Sequence, residues 1–271
     1  MIVLACLAAL SALYAWLIAP RAGAWTRMTG MLARDYAHRG LHGSVAAQED
    51  KPLAENSLPA YAASAEKGYG IELDVRLTKD NEIVIMHDDD VSRMCGKPGL
   101  ISQMTLAEVK TLRLMGTGEG VPTLREALSV IAGRVPVIVE MKPCHPSLPA
   151  RLFDEMRGYP GAYAVESFDP RLVRAYGKLS PKTPRGQLAC RRRGTGHAAL
   201  AYILSRCLLN CISRPDFLAY EWQGDGILAV WLWRKVFRAP TVAWTVGANS
   251  AYRAHKTRHT IQIFEKFIPE A

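Results

Sequence analysis

The sequence predicts an α/β fold, a (β/α)₈ TIM barrel preceded by an N-terminal transmembrane helix. Two observations predict the barrel: after the first 35 residues short β-rich runs alternate with helical runs, and eight runs of the β type can be counted. The length of 271 residues is also ordinary for one such barrel. A hydrophobic fraction of 49% and a charged fraction of 22% exclude a disordered chain.

The elements follow from short apolar runs and from helix-start signals. The predicted strands are Tyr36–His38, Ile71–Leu77, Ile83–His87, Val137–Met141, Ala162–Glu166, Arg185–Leu188, Phe217–Tyr220 and Thr241–Val246. The predicted helices are Ser57–Lys67, Thr105–Leu114, Leu124–Ala132, Leu148–Arg157, Pro170–Lys178, Ala198–Ile212, Leu228–Phe237 and Ser250–Lys256. Capping boxes, Thr105 with Glu108 and Thr123 with Glu126, mark the starts of two of these helices.

Residues 1–19 contain no charged side chain and, as a helix, would span about 30 Å, the thickness of a bilayer core. We therefore expect a transmembrane anchor over residues 1–20, a linker over 21–34 and a barrel domain over 35–271. Arginines follow the apolar run and none precedes it, which predicts a single-pass membrane protein with its catalytic domain in the cytoplasm. A signal peptide cleaved near Ala24 is the alternative.

Charge is unevenly distributed along the chain, whose net charge is +9. Residues 1–170 hold 17 Lys+Arg and 20 Asp+Glu, whereas residues 171–271 hold 17 and 5. The basic part suits an anionic surface, and no nucleic-acid motif accompanies it, so we expect membrane lipid as a partner and neither nucleic acid nor another protein. The apolar helix 198–212, which follows three arginines, is either shielded by neighbouring barrel helices or lies on lipid.

Charged and imidazole side chains recur in the second predicted strand and at the ends of the first, third and fourth. Each has an ordinary structural explanation by itself, such as a solvated face or an ion pair. Together they indicate an active site, because the carboxyl ends of the strands meet at one end of a barrel. These residues are His38, Glu72, Asp74, His87, Glu140 and Lys142.

Three of these side chains are carboxylates, Glu72, Asp74 and Glu140. Burying them at a barrel mouth is costly unless they are paired or bind a cation. Without a thiolate, they favour a hard divalent ion, Mg²⁺ or Ca²⁺. The histidines are candidates for a general acid and a general base. Arg39 and Lys142 are candidates for binding a phosphate group.

The motifs and their order resemble the glycerophosphodiester phosphodiesterase family. The resemblance runs through residues 35–142 and continues at Ser167-Phe168 and Trp244-Thr245-Val246. The motifs that carry it are His38-Arg39-Gly40, Glu55-Asn56-Ser57, Gly70-Ile71-Glu72-Leu73-Asp74-Val75, His87-Asp88, Pro122-Thr123-Leu124 and Glu140-Met141-Lys142.

The resemblance implies a TIM barrel that hydrolyses glycerophosphodiesters to glycerol 3-phosphate and an alcohol. It implies one divalent metal on Glu72, Asp74 and Glu140, with His38 as general base and His87 as general acid. The phosphate would be held by Arg39 and Lys142, the metal site supported by Glu55 and Asn56, and the substrate pocket lined by Phe168 and Trp244. The attacking group, water or a glycerol hydroxyl of the substrate, stays open.

Two other functions compete with this one. A lysophospholipase D that acts on membrane lysolipids would use the same site. A non-catalytic, membrane-tethered binding protein would be expected to have lost a histidine or a carboxylate, and none is lost. The sequence departs from the family pattern in two places. The usual family ending is absent from residues 259–265, and Gly247 follows Trp-Thr-Val where an Asn is common. Both changes concern the far side of the pocket, so the leaving alcohol stays unassigned.

Overall fold

A computed structural model describes residues 1–32, 34–48, 51–191, 198–224 and 226–269. Within these ranges eight parallel strands close into a barrel with helices outside it, which confirms the predicted barrel. The strands are β1 (Tyr36–Ala37), β2 (Gly43–Gln48), β3 (Lys51–Leu53), β4 (Gly70–Leu77), β5 (Ile83–Ile85), β6 (Val137–Met141), β7 (Tyr163–Ser167), β8 (Arg185–Ala189), β9 (Phe217–Glu221), β10 (Thr241–Val246) and β11 (Ile261–Phe264).

The helices lie mostly between successive strands. They are α1 (Ile2–Ile18), α2 (Ala24–Met28), α3 (Leu58–Glu66), α4 (Ser92–Cys95), α5 (Leu106–Val109), α6 (Leu124–Ile131), α7 (Leu148–Met156), α8 (Pro170–Leu179), α9 (Ala198–Ser205), α10 (Asn210–Ser213), α11 (Leu228–Lys235) and α12 (Asn249–Lys256). Both predicted capping boxes are present, at the starts of α5 and α6. The helix predicted over 198–212 is interrupted at Cys207, which has a positive φ of 60°.

The barrel closes because β1 pairs with strands on both sides, Tyr36 with Gly70 of β4 and with Ile263 of β11. From β4 the ring continues through β6, β7, β8, β9 and β10 to β11, in chain order. Outward-facing residues of β4 and β6, such as Leu73 and Val139, pack in a core beneath the surrounding helices. The carboxyl ends of all these strands therefore meet at one mouth.

One predicted barrel strand is wrong, and another replaces it. The segment predicted as Ile83–His87 forms β5, which pairs antiparallel with β4 and lies outside the ring. The reason is the short connection from Leu77 to Ile83, closed by a Thr78 N–H to Glu82 carbonyl hydrogen bond, because a parallel crossover needs a dozen or more residues. The eighth ring position is taken by β11, which the sequence pattern did not assign.

The opposite end of the barrel is closed by residues 18–32, which include α2. Met28 and Met31 are fully buried and pack against Tyr36 and Phe217 at the bottom of the barrel. Asp216, also fully buried, accepts hydrogen bonds from the guanidinium groups of Arg21 (3.1 and 2.6 Å) and Arg27 (2.7 Å) and from the backbone N–H of Arg185 (3.1 Å). Part of the segment predicted to be a linker thus contributes to the floor of the barrel.

Helix α1 corrects the prediction of a transmembrane helix. In the part of the chain that the structure describes, no helix is both long and apolar enough to cross a bilayer. Helix α1 has 17 residues, about 25 Å of helix, and it ends at Ile18 just before Pro20. Its last turn packs on the barrel, where Ile18 is buried and its carbonyl accepts a 2.7 Å hydrogen bond from Trp233 Nε1. Residues 1–13 are exposed.

Candidate active site

Three buried carboxylates meet at the barrel mouth. Glu72 and Asp74 point to the same side of β4 because side chains alternate along a strand, and Asp74 lies beside Glu140 in the register of β4 with β6. One oxygen from each of the three lies within 4.8 Å of the others. The proposed metal ligands are therefore brought together at one point.

The electrostatics of this cluster fit a cation. Burial and the neighbouring carboxylates raise the pKa of Glu72 well above its usual value, and burial also raises the pKa of Glu140. Burial acts in the same direction on Asp74, but Lys142 and Arg39 outweigh it and lower the pKa of Asp74. Lys142 Nζ lies 2.8 Å from Asp74 and 2.7 Å from Glu140. A set of hard oxygen donors with excess negative charge suits a divalent ion such as Mg²⁺ or Ca²⁺.

The His38-Arg39-Gly40 turn lies at the end of β1. The backbone N–H of Arg39 donates to Glu72 at 3.0 Å, and its guanidinium lies 2.8 Å from Glu55 and 3.3 Å from Asp74. Gly40 has a φ of +78°, and a Cβ there would come within 3.0 Å of the backbone of Ala60, so the turn requires glycine. This turn therefore holds Arg39 against the acidic cluster.

Asn56 connects α3 to the same cluster. Its Nδ2 donates to Asp74 at 2.8 Å, and its Oδ1 accepts from the hydroxyl of Tyr61 at 2.8 Å. Because both ends of this buried amide are engaged, Asn56 holds the Asp74 carboxylate in one orientation. Of the two residues expected to support the metal site, Asn56 thus contacts Asp74 directly, and Glu55 is linked to the cluster through Arg39.

His38 forms a hydrogen bond that the sequence did not predict. Its Nδ1 lies 2.9 Å from Oε2 of Glu265, the residue after β11, and its Nε2 lies 4.0 Å from Glu72. An ionised carboxylate can only accept, so Nδ1 of His38 is assigned the proton in this pair, and the hydrogen bond lowers the pKa of Glu265 to about 2. Nε2 is left with a free lone pair that faces the mouth.

His87 reaches the mouth from the β4–β5 hairpin. Its Nδ1 lies 2.7 Å from Asp88, whose other oxygen contacts Arg93 at 2.5 Å, and Arg93 contacts Glu55 at 2.7 Å. Burial lowers the pKa of His87 to about 4, although Asp74 and Asp88 oppose this shift. Asp88 therefore orients His87 as Glu265 orients His38. The sequence motif contained Asp88, but no role was assigned to it.

A cavity of about 120 Å³ lies between the two histidines, the carboxylates and an aromatic wall. The wall consists of the predicted pocket residues Phe168 and Trp244, whose rings meet edge to face at 5.6 Å. Glu166 also lines the cavity; it is buried, and its Oε2 has no hydrogen-bond partner within the described ranges. Sequence reasoning treated Glu166 only as part of a strand, although its register with Glu140 would have placed it here.

Comparison with known proteins decides the family. The profile of the glycerophosphoryl diester phosphodiesterase family matches residues 38–222. The chain belongs to this family. A glycerophosphodiester phosphodiesterase of Caldanaerobacter subterraneus subsp. tengcongensis is 31% identical over 193 residues, 65% of this chain and 76% of the relative. A putative glycerophosphodiester phosphodiesterase of Bacillus subtilis, YhdW, is 31% identical over 213 residues, 69% of this chain and 84% of the relative.

Solved structures of the family share the fold. A phosphodiesterase of Oleispira antarctica, solved in complex with its product sn-glycerol-3-phosphate, superimposes with a TM-score of 0.70 at 23% identity, covering 89% of this chain and 94% of that one. A glycerophosphodiester phosphodiesterase of Thermotoga maritima gives a TM-score of 0.65 at 24% identity, covering 85% and 94%. Family membership confirms the resemblance predicted from the motifs: the chain is a phosphoric diester hydrolase of a metal-dependent family.

Proposed function

We propose that the barrel mouth hydrolyses a glycerophosphodiester to glycerol 3-phosphate and an alcohol, with one divalent ion held by Glu72, Asp74 and Glu140. The observation that carries this proposal is the meeting of three buried carboxylates within 4.8 Å, beside two oriented histidines. The bound ion, Mg²⁺ or Ca²⁺, would supply positive charge against a phosphoryl oxygen and stabilise the charge that develops there.

His38 is suited to act as the general base. Glu265 holds the Nδ1 proton, so Nε2 accepts a proton from the attacking hydroxyl, which belongs to water or to the glycerol of the substrate. Burial lowers the pKa of His38, which keeps the imidazole neutral and able to accept that proton.

His87 is suited to act as the general acid, giving a proton to the oxygen of the departing alcohol. Its pKa of about 4 makes it neutral in the free site. The negative charge of the incoming phosphodiester raises the pKa of His87, so binding of substrate favours the protonated form that the reaction needs. Arg39 and Lys142 face the same cavity and would bind the phosphate.

The test is turnover by the full chain. Glycerophosphocholine and other soluble glycerophosphodiesters are incubated with Mg²⁺, with Ca²⁺ or with EDTA, and glycerol 3-phosphate is measured. We expect release with an added ion and none in EDTA. The matched control is Lys67→Gln, an exposed charge near the end of α3, which should keep full activity. Release of glycerol 3-phosphate that persists fully in EDTA would contradict the metal assignment.

One observation favours the lysophospholipase D alternative. A groove of about 770 Å³ adjoins Glu55 and is lined by apolar side chains such as Leu53, Pro59 and Met115, which suit an acyl chain. In the same screen, lysophosphatidylcholine would then yield free choline and lysophosphatidic acid. A faster rate with this lipid than with glycerophosphocholine would make it the preferred substrate.

We further propose that the chain is associated with a membrane, with its barrel in the cytoplasm. Residues 1–13, which include most of α1, support this because their side chains are uncharged and exposed to solvent, where an apolar surface is unfavourable. The six cysteines all lie within the described ranges and form no disulfide, which suits a reducing compartment such as the cytoplasm. Cell fractionation, with phosphatase and fluorescent reporters fused to the C-terminus, tests both points; an active phosphatase would place the barrel outside the cytoplasm.

A further inference from the structure

A second concave site lies outside the barrel, between α9 and α11. It is a pocket of about 530 Å³ with a polar and cationic lining, which includes Arg191, Ser205, Arg206 and Gln223. None of its lining residues lines the cavity that contains His38 and His87. Its chemistry is therefore separate from that of the active site.

The donors in this pocket suit an oxyanion. The guanidinium of Arg206 lies 5.1 Å above the ring of Tyr202, and its Nε is buried with no hydrogen-bond partner among the residues described. Arg191 also lines the pocket. Arginines bind phosphate oxygens through paired N–H groups, and the Ser205 hydroxyl and the Gln223 amide add further donors.

The two helices that flank the pocket, α9 and α11, carry exposed apolar side chains. Tyr202 on one side is 59% exposed, and Leu228 and Trp231 on the other are 55% and 50% exposed. Leu228, Trp231 and the exposed Lys235 share one face of α11, because residues three and four apart are neighbours on a helix. Aromatic rings and long cationic chains around an anion pocket are typical of a protein surface that lies in the headgroup layer of a bilayer.

Helix α1 leaves the barrel on this same side. Tyr14 packs in one apolar cluster with Leu208 and Leu232, and the guanidinium of Arg214 lies 4.7 Å from the ring of Trp16. Arg191, Arg206 and Arg214 lie on this side, and it belongs to the part of the chain, residues 171–271, that carries 17 basic and 5 acidic side chains. The apolar helix and the basic face are thus placed to meet the same surface.

We propose that the face formed by α9 and α11 docks on an anionic phospholipid bilayer, and that the Arg191–Arg206 pocket receives the headgroup phosphate of one lipid. This docking rests on the membrane association proposed above, and it is independent of the hydrolytic reaction. It assigns two separate contributions to binding. Helix α1 inserts without regard to lipid charge, and the pocket supplies the part that depends on anionic lipid.

The experiment measures co-flotation of the full chain with phosphatidylcholine vesicles, with and without phosphatidylglycerol. The variant Arg191→Gln/Arg206→Gln should lose roughly five-fold in affinity per arginine for the anionic vesicles, and should bind the zwitterionic vesicles like the wild type. Leu228→Ser/Trp231→Ser should weaken binding to both. All variants should keep wild-type turnover of glycerophosphocholine and a wild-type melting temperature.

The matched control is Arg125→Gln, an arginine that is 73% exposed on α6, half-way round the barrel from α11. Anionic-vesicle binding that is unchanged in the double arginine variant, or equally reduced by Arg125→Gln, would overturn the proposal. Binding to duplex nucleic acid in place of vesicles would overturn it as well. A wild-type chain that binds vesicles through these arginines but turns over no diester would contradict only the proposed hydrolysis.

Discussion

The two ends of the barrel bury charge in opposite ways. At the floor, one buried carboxylate, Asp216, is matched by the guanidinium groups of Arg21 and Arg27. At the mouth, four buried carboxylates, Glu72, Asp74, Glu140 and Glu166, face mainly Lys142 and Arg39. A buried charge is tolerated when it is paired, so the floor needs nothing further. The mouth holds more buried carboxyl groups than cations, and burial together with the neighbouring carboxylates raises the pKa of Glu72 and of Glu166 well above the usual value. This strain identifies the mouth as the end that binds a cation.

The largest effect should come from removing a mouth carboxylate. Glu72→Gln should lower kcat by ~10³ or more, because the several kcal/mol that a metal contributes to the transition state are lost. The same change should raise the melting temperature of the metal-free chain, since it removes a repelled, buried carboxylate. Turnover at different metal concentrations and thermal melting in EDTA measure the two effects. If Glu72→Gln instead lowered the melting temperature in EDTA, the carboxylates at the mouth would be paired with cations as Asp216 is at the floor.

Substitution of the histidines should come next. His38→Ala and His87→Ala should each lower kcat by ~10²–10⁴, the usual range for general acid–base groups, and leave the fold intact. Steady-state kinetics with glycerophosphocholine, alongside circular dichroism, is the measurement. His145→Ala, a histidine in the loop before α7, serves as the control and should stay near wild type. Near-normal turnover of either alanine variant would remove that histidine from the mechanism.

Asp216→Asn at the floor should lower the stability of the protein and leave kcat unchanged, whereas a substitution at the mouth mainly lowers kcat. It leaves two guanidinium groups without their carboxylate and should destabilise the protein by ~3 kcal/mol, the cost of breaking a buried ion pair. The kcat of the molecules that remain folded should not change. Chemical denaturation and active-site-normalised kinetics separate these quantities. A large fall in kcat at unchanged stability would show that the floor and the mouth are coupled.

Glu265→Gln should have the smallest effect of the four. It removes a charge-assisted hydrogen bond to His38 worth about 1.5–3 kcal/mol, so kcat should fall by roughly 10–100-fold while KM changes little. Lys266→Gln, whose ammonium lies 3.2 Å from the other oxygen of Glu265, is the neighbouring control and should retain most activity. Equal losses in the two variants would mean that the segment, and not the carboxylate, matters.

The mouth could be located from the sequence because parallel strands carry their chemistry towards their carboxyl ends. His38 and Glu140 lie at such ends, and Glu72 lies within β4 on the same face as Asp74. Ile83–Ile85 was misassigned because a short apolar run looks the same in a parallel and an antiparallel strand. The short Thr78–Glu82 turn was the signal that would have separated them. Glu265 was missed since its partner, His38, lies 227 residues away, and no local pattern reports such a contact.

The floor also constrains the order in which the fold can form while the chain is being made on the ribosome. Arg21 is synthesised 195 residues before its partner Asp216. The carbonyl of Ile18 likewise has no partner until Trp233, 215 residues later, has been made. Strand β1 also lacks its neighbour β11 until Ile263, which pairs with Tyr36, has been made. Residues 18–36 therefore stay without these native contacts until most of the barrel has been made. During that time chaperones and membranes can bind the apolar stretch at residues 1–19, because the part of the barrel that contacts Ile18 has not yet been made.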